Sequence, residues 1–466
     1  MNFLVLAFQN YQKEGFGEQA FHGHTTLHPL ALLGIVVLCG MILTVRRSKA
    51  TYPFVLAACF LPEAQRVVIV GADFSMLRLL LLAGMLRVFT KDEVKDFRWR
   101  KLDTLVTTWS LVGMAAYVAL WADFGKLIFR VGQLYDILGM YLFFRIVVRN
   151  WADVEAFARF SVKVLPLLVV LFYLEKRTGQ NPFHFLGAQQ WAVIREGRVR
   201  CQGPYPHAIL AGCYFASLLP MVGARYFRKG GRIEVMVGTG MVLALVYLCA
   251  SSTPVVGVMA AGIGVVGWKL RRSMRLVRWS TVGILVALHM AMKAPVWHLI
   301  SRISFSQGST SYHRFLLIDN SIRYFSDWAL LGVKDTGYWG HAQGDLTNQF
   351  VREGARGGFL TLILFVWVLA EAFSLAGRLW RRVERNRAKR AVAWGLGVAV
   401  FVNGMMFLSI SITHSQQNMM IFLFPIAALG SLAPPDRGSR RRKRRSAVRT
   451  STSSQALAHP ASVPAA

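Results

Sequence analysis

The chain has 466 residues, 54% of them hydrophobic and 17% charged, with a mean hydropathy of +0.41. Lysine and arginine number 54 against 23 aspartates and glutamates, a formal net charge of +31. Soluble domains carry about 25% charged and about 45–50% apolar residues, so a soluble enzyme is excluded, and the basic excess signals either nucleic-acid binding or membrane topology. Five cysteines (Cys39, Cys59, Cys201, Cys213 and Cys249) lack CxxC spacing, and four lie in apolar runs. That pattern argues against a disulfide framework or a zinc site.

Met1 to Phe8 is too short for the apolar core of a secretion signal, and Gln9 to Glu14 stops it, so residues 1–27 read as a short external segment. A bilayer core of roughly 30 Å takes about 20 predominantly apolar residues per helix. Such stretches are predicted at 28–45, 52–69, 74–90, 104–121, 128–147, 160–175, 207–223, 235–251, 254–269, 279–296, 358–377, 391–410 and 416–433. Pro62, Glu63 and Arg66 interrupt the second, which reads equally as a re-entrant or broken helix, giving 12 or 13 spans. N-terminal spans fill 28–175, a first loop covers 176–206, central spans fill 207–296, a large loop covers 297–357, and C-terminal spans fill 358–433. A tail follows over 434–466, basic at first and then rich in Ser, Thr, Ala and Pro. The expected fold is an all-α polytopic membrane protein with a long, partly helical external loop.

Alternate connections carry the basic residues: Arg46–Lys49, Arg87–Lys101, Arg145–Arg149, Arg225–Arg232, Lys269–Arg278, Arg378–Arg390 and Arg437–Arg449. This positive-inside pattern places the N-terminus outside and the C-terminus in the cytoplasm. The run Arg440–Arg445 then reads as a juxtamembrane tail, and no nucleic-acid partner is expected.

Function is sought in the two long loops and the helix ends that face them. The first combines Arg195, Glu196, Arg198 and Arg200 with the turn Gly203-Pro204-Tyr205-Pro206-His207 that feeds a helix. Arginine offers a planar fork for phosphate and stays charged; the alternative is contact with lipid headgroups or with Glu196. The second loop holds Ser311-Tyr312-His313-Arg314, then His341, Asp345, Thr347, Asn348 and Gly358. An amphipathic stretch from Ser311 to Leu331 is predicted, with Phe315, Leu316, Ile322 and Phe325 on one side. Histidines, a carboxylate and arginines here can build an acid/base site beside an anion site; structural histidines and a helix cap at Asp345 or Asn348 are the alternatives. Glu353 is expected to pair with Arg352, Arg356 or Arg314. Arg78, Arg130 and Asp136 lie in or at the ends of spans, where charge marks a functional site by default, and the spacing of Arg130 and Asp136 requires that each have another partner. Walker, GxGxxG, HExxH, GxSxG and DxD motifs are absent, and no metal or cofactor is expected.

Taken together, the many spans, the moderate loop and the long loop resemble the O-antigen ligase and O-antigen polymerase superfamily of bacterial inner-membrane proteins. The family's Arg-x-x-Gly before a Pro-containing helix start matches Arg200 to Gly203 with Pro206-His207. Its arginine at the start of the long loop's helix matches Arg314, and its Leu-Gly-Val matches Leu331-Gly332-Val333, with Lys334 where the family has glycine. Its Ser-Arg turn falls at Ser251-Ser252-Thr253 without the arginine. Its His-Asn followed by Gly falls at Thr347-Asn348 and Gly358, with threonine in place of the histidine.

The resemblance implies a metal-independent, cofactor-free glycosyltransferase. Its donor would be a polyprenyl-diphosphate-linked glycan and its acceptor a glycan or lipid-linked hydroxyl, within membrane lipids at the periplasmic face. Arg200 and Arg314 would bind the diphosphate. Asp345, His341 or His313 would replace the missing family histidine as base, since threonine does not act as one near neutral pH. Gly203, His207, Thr347, Asn348 and Gly358 would shape the site. Ligase and polymerase are not separated by these residues. A transporter of a lipid-linked or anionic substrate and a non-catalytic scaffold of a polysaccharide export machine remain as alternatives.

Overall fold

The computed structural model describes residues 25–69, 72–302, 311–383, 385–413 and 415–433. The expected N-terminal segment, except for its last three residues, and the basic tail lie outside the described residues. The described chain is mainly helical, with two short hairpins as its only strands. Helices α1 (Pro29–Thr44) and α2 (Tyr52–Phe60) are followed by a hairpin, β1 (Arg66–Ile69) with β2 (Ala72–Ser75), in which Arg66 stands opposite Ser75. The second predicted stretch is therefore a helix broken at Pro62, not a span to residue 69. Next come α3 (Met76–Thr90), α4 (Lys101–Trp121) and α5 (Phe124–Leu134), which runs through a π-turn at Tyr135–Gly139 into α6 (Met140–Val147). Helix α7 (Trp151–Thr178) leads to a second hairpin, β3 (Val193–Arg195) with β4 (Arg198–Arg200).

The second half comprises α8 (Ala208–Gly223), α9 (Gly231–Leu248), α10 (Ser252–Gly267), α11 (Met274–Ala291), α12 (Ser311–Arg323), α13 (Phe325–Trp328), α14 (Gln349–Arg382), α15 (Arg387–Met406) and α16 (Gln416–Leu432). Polar caps set the starts: Ser75, Asn150, His207, Asn348, Asn386 and Ser415 each accept a first-turn backbone N–H. Among the described residues five helices are long and apolar enough to cross a bilayer: α4, α5–α6, α7, α9 and α14. Helices α10 and α11 pass the same test together, but as a pair bent by 97°.

Helix α16 is apolar on every side and nearly every residue from Gln416 to Gly430 is buried, which makes it the central element. It packs on α6, α8, α14 and α15, while α4 lies along α14 and α8 is enclosed by α9, α10 and α15. A separate small core under the second loop joins Leu317, Trp328, Trp339, Leu346, Val351 and Ala355.

The amphipathic stretch of that loop ends earlier than expected and turns a different face inward. Arg314, Leu317, Asn320 and Ser321 are its buried side, whereas Ile322 and Phe325 are exposed. The indole of Trp328 fixes this rotation by donating to the carbonyl of Ser321 at 2.8 Å. Helix α14 begins nine residues before the predicted span, and Gly358 interrupts it with φ +76°.

Candidate functional site

The first loop is built around a glycine turn. Gly203 has φ +57°, and a Cβ there would lie 2.5 Å from the ring of Phe172, so only glycine fits. The backbone N–H groups of Gln202 and Gly203 donate to the Glu175 carboxylate at 2.9 and 3.0 Å. The amide of Asn181 donates to the Gly203 carbonyl at 2.7 Å. His207 closes the turn by accepting from the N–H of Ile209 through Nδ1 at 3.0 Å. Strand β4 enters this frame and carries Arg200 into the interior, while Arg195 and Arg198 stay exposed. Arg195 pairs with Glu196 at 3.6 Å.

The second loop delivers Arg314 from α12 to the same neighbourhood. Its Nη2 donates to Thr253 Oγ1 at 3.0 Å, and Thr253 is fully buried at the start of α10. Arg195 lies within electrostatic reach of both Arg200 and Arg314. The two arginines singled out in the sequence, 114 positions apart, therefore share one positive region.

What distinguishes them is that no carboxylate among the described residues bonds to either, with Glu196 acting on Arg200 only at longer range. Five arginines are buried among the described residues: Arg87, Arg145, Arg225, Arg200 and Arg314. Arg87 is held by Glu93 at 2.8 Å, Arg145 by Asp103 at 2.9 Å and Arg225 by Glu234 at 2.6 Å. Among the described residues neither Arg200 nor Arg314 has a carboxylate partner, and the Nε of Arg200 is buried without a hydrogen bond. Burial first, and the like charge of Arg195 with it, push both guanidinium pKa values below the ordinary arginine value. A buried cation normally sits in an ion pair because isolation is costly, so this region is suited to an anion.

The proposed acid/base residues form a second group. His313 stands about 100° around α12 from its neighbour Arg314, and its Nδ1 lies 3.4 Å from Gln343 Nε2. Asp345 is within electrostatic reach of His313 and of Arg352. His341 is exposed and meets the group only through its carbonyl, which accepts from Gln343 at 3.5 Å. The Thr347 hydroxyl is buried with no hydrogen-bond partner among the described residues.

Two other expected site residues have structural tasks. Asn348 caps α14, accepting from Phe350 and Val351 at 2.9 and 3.2 Å. Gly358 lets α14 meet the turn at Leu330, where a Cβ would lie 2.3 Å from the Leu330 carbonyl oxygen.

Among the described residues Glu353 forms no ion pair with an arginine, and Arg130 and Arg352 act on it only at longer range. It accepts from the indole of Trp109 at 2.9 Å and from Gln349, one turn earlier on α14, at 2.7 Å. Arg356 reaches the Lys334 carbonyl instead, at 3.1 Å. Glu353, Gln349, Trp109, Arg130, Gln133 and Thr413 line a cavity of about 50 Å³ between α4, α5, α14 and α16. Sequence reasoning missed this cavity and the role of Glu175 as anchor of the Gly203 turn. For Glu175 a signal existed: an acid in the last turn of a helix is unfavourable to the helix dipole and needs outside donors.

Arg78 and Asp136 find each other at 2.7 Å across 58 positions, with Gln416 donating to the same carboxylate at 3.1 Å. Arg130 bonds Gln133 at 2.6 Å and the Arg356 carbonyl at 3.2 Å. As the spacing required, Arg130 and Asp136 each have another partner.

The chain matches no protein-family model and no curated protein sequence.

Proposed function

We propose that this protein transfers a glycan from a polyprenyl-diphosphate carrier to a sugar hydroxyl, at the periplasmic face of a bacterial inner membrane. The transfer is of the O-antigen ligase or polymerase type. The twelve or thirteen crossings, the external N-terminus and the cytoplasmic C-terminus belong to the same proposal and rest on the alternation of basic connections. The observation that carries the reading is the pair of buried arginines without carboxylates, Arg200 and Arg314. In the proposed reaction the acceptor oxygen bonds to the anomeric carbon of the donor while the bond from that carbon to phosphate breaks. The negative charge that grows on the leaving diphosphate is stabilised by the two guanidinium groups. The acceptor proton passes to Asp345 or to the His313 imidazole beside it. Tyr338 is exposed in the same loop and offers a ring face to a sugar.

The test is deletion followed by analysis of surface glycan. Loss of polymer with single repeat units retained identifies a polymerase; polymer left on the lipid carrier identifies a ligase. Unchanged glycan in the deletion strain, and in strains carrying Arg200→Ala or Arg314→Ala, refutes the enzyme reading and leaves the scaffold.

A second reading, a transporter of a lipid-linked or anionic substrate, has one observation in its favour. The Arg78–Asp136 pair and the Glu353 cavity place polar groups inside the helical bundle. It predicts that Asp136→Asn abolishes substrate movement across vesicles while Arg200→Ala leaves it intact.

A further inference from the structure

Helices α10 and α11 do not form the antiparallel hairpin that two successive spans would make. They are bent by 97° at the break between them. At a rise of 1.5 Å per residue the arms are about 24 and 27 Å long, so their far ends stand about 34 Å apart, against roughly 10 Å for a packed pair.

The inner side of α10 is made of small residues, Thr253, Gly257, Ala260, Ala261 and Gly264, packed on α8 and α15. Its outer side shows Met259, Ile263 and Val266. Helix α11 buries no residue at all, and Trp279 and Met290 are 67% and 81% exposed. The open end of the wedge is bridged by α12. Arg314 of α12 bonds Thr253 at the start of α10. Asp319 of α12 accepts from the indole of Trp297, which stacks on His289 in the last turn of α11. The mouth of an apolar wedge thus carries Arg314, and Arg200 lies within electrostatic reach of Cys249, three residues before α10.

We infer that the α10–α11 wedge holds the hydrocarbon chain of a polyprenyl diphosphate, with the diphosphate at Arg314 and Arg200. The match is of polarity and place: an apolar cleft between two helices bent by 97°, ending near two guanidinium groups with no carboxylate bonded to either among the described residues, fits a lipid with a long apolar tail and a strongly anionic head. A neutral lipid would leave the arginines unmatched, and a soluble phosphate would leave the wedge unmatched. This inference rests on the glycosyl-transfer reading and adds to it the path by which the donor reaches the site.

The experiment uses the full chain in lipid nanodiscs and a polyprenyl diphosphate bearing a photoreactive group midway along its tail. Peptides carrying the adduct are mapped by mass spectrometry, with and without excess unlabelled polyprenyl diphosphate. The expected result is adducts within residues 252–291, suppressed at least tenfold by competitor and by Arg314→Met. Competed adducts confined to other helices overturn the wedge and leave the proposed function standing. Adducts within 252–291 that competitor does not suppress mean that bulk lipid fills the wedge, and overturn it. Chain-to-chain adducts through α11 mean that a second copy fills it, and overturn it too. Absence of competed binding anywhere refutes the proposed function itself.

Discussion

Replacing Arg314 by methionine separates a cation kept for a ligand from one kept for the fold. Arg314→Met removes a buried charge with no carboxylate beside it and one hydrogen bond, to Thr253. Loss of that bond costs a net ~0.5–1.5 kcal/mol, while exchange of a buried ionic group for an apolar side chain of similar volume is often neutral or stabilising by about 1–4 kcal/mol. The two effects oppose each other, so the thermal midpoint of the purified protein should stay or rise. Arg145→Met makes the contrast. It strands the carboxylate of Asp103, which is 0% exposed and held by Arg145 and Tyr141, and breaking one side of such a pair costs about 3–5 kcal/mol. Donor binding should show the reverse order. A charge-assisted contact of ~1.5–3 kcal/mol corresponds to a roughly ten- to hundredfold weaker Kd for polyprenyl diphosphate in Arg314→Met, with Arg145→Met unchanged once folded. The assays are thermal unfolding in detergent and binding of radiolabelled polyprenyl diphosphate. The reasoning fails if Arg314→Met destabilises as much as Arg145→Met while binding is unaltered.

Further expectations concern the surroundings of this pair. Asp345→Asn and His313→Gln should lower the transfer rate by about 10²–10⁴-fold, the usual contribution of a general base, with donor Kd unchanged. Whichever substitution leaves the rate intact excludes that residue as base. Gly203→Ala forces a left-handed residue against Phe172 and should cost about 1–3 kcal/mol, read as a lower thermal midpoint with loss of donor binding. Glu63 accepts from Ser415 and from the N–H of Gln416, and burial pushes its carboxyl up to about 7 from the ordinary value near 4.5. A carboxyl raised in the folded state binds its proton more tightly there than in the unfolded chain, so folding loses stability as pH rises from about 4.5 to about 7. The difference in thermal midpoint between wild type and Glu63→Gln should therefore change across that window and be flat on either side of it.

The sequence carries some of this architecture plainly and hides the rest for identifiable reasons. Arg200 and Arg314 are legible because they are arginines beside turns in the two long loops, the exceptions to the charge-poor connections on that side of the chain. That they would be the two buried arginines without carboxylates was not legible, since pairing such as Arg78 with Asp136 spans 58 positions and depends on which helices touch. The buried face of α12 does not follow from its apolar side chains, because the bond from Trp328 to Ser321 turns a partly polar stripe inward. Charge alone suggests Arg352, Arg356 or Arg314 for Glu353, but α14 begins at Gln349, and helical geometry places that amide one turn away. The break at Pro62 was anticipated, but not the hairpin after it. Four-residue strands leave no periodic signal of their own.

Helix α16 occupies the centre of the bundle yet is the last helix in chain order among the described residues. Its first residue supplies partners to Ser75 and Asp136, and its backbone supplies one to Glu63, all more than 270 positions earlier. During synthesis those groups are made long before their partner exists. Until α16 arrives the earlier helices surround an unfilled axis, so the bundle closes only after the last of the described helices is made. A nascent chain stalled before residue 416 would present an apolar groove and unmatched polar groups to the insertion and quality-control machinery.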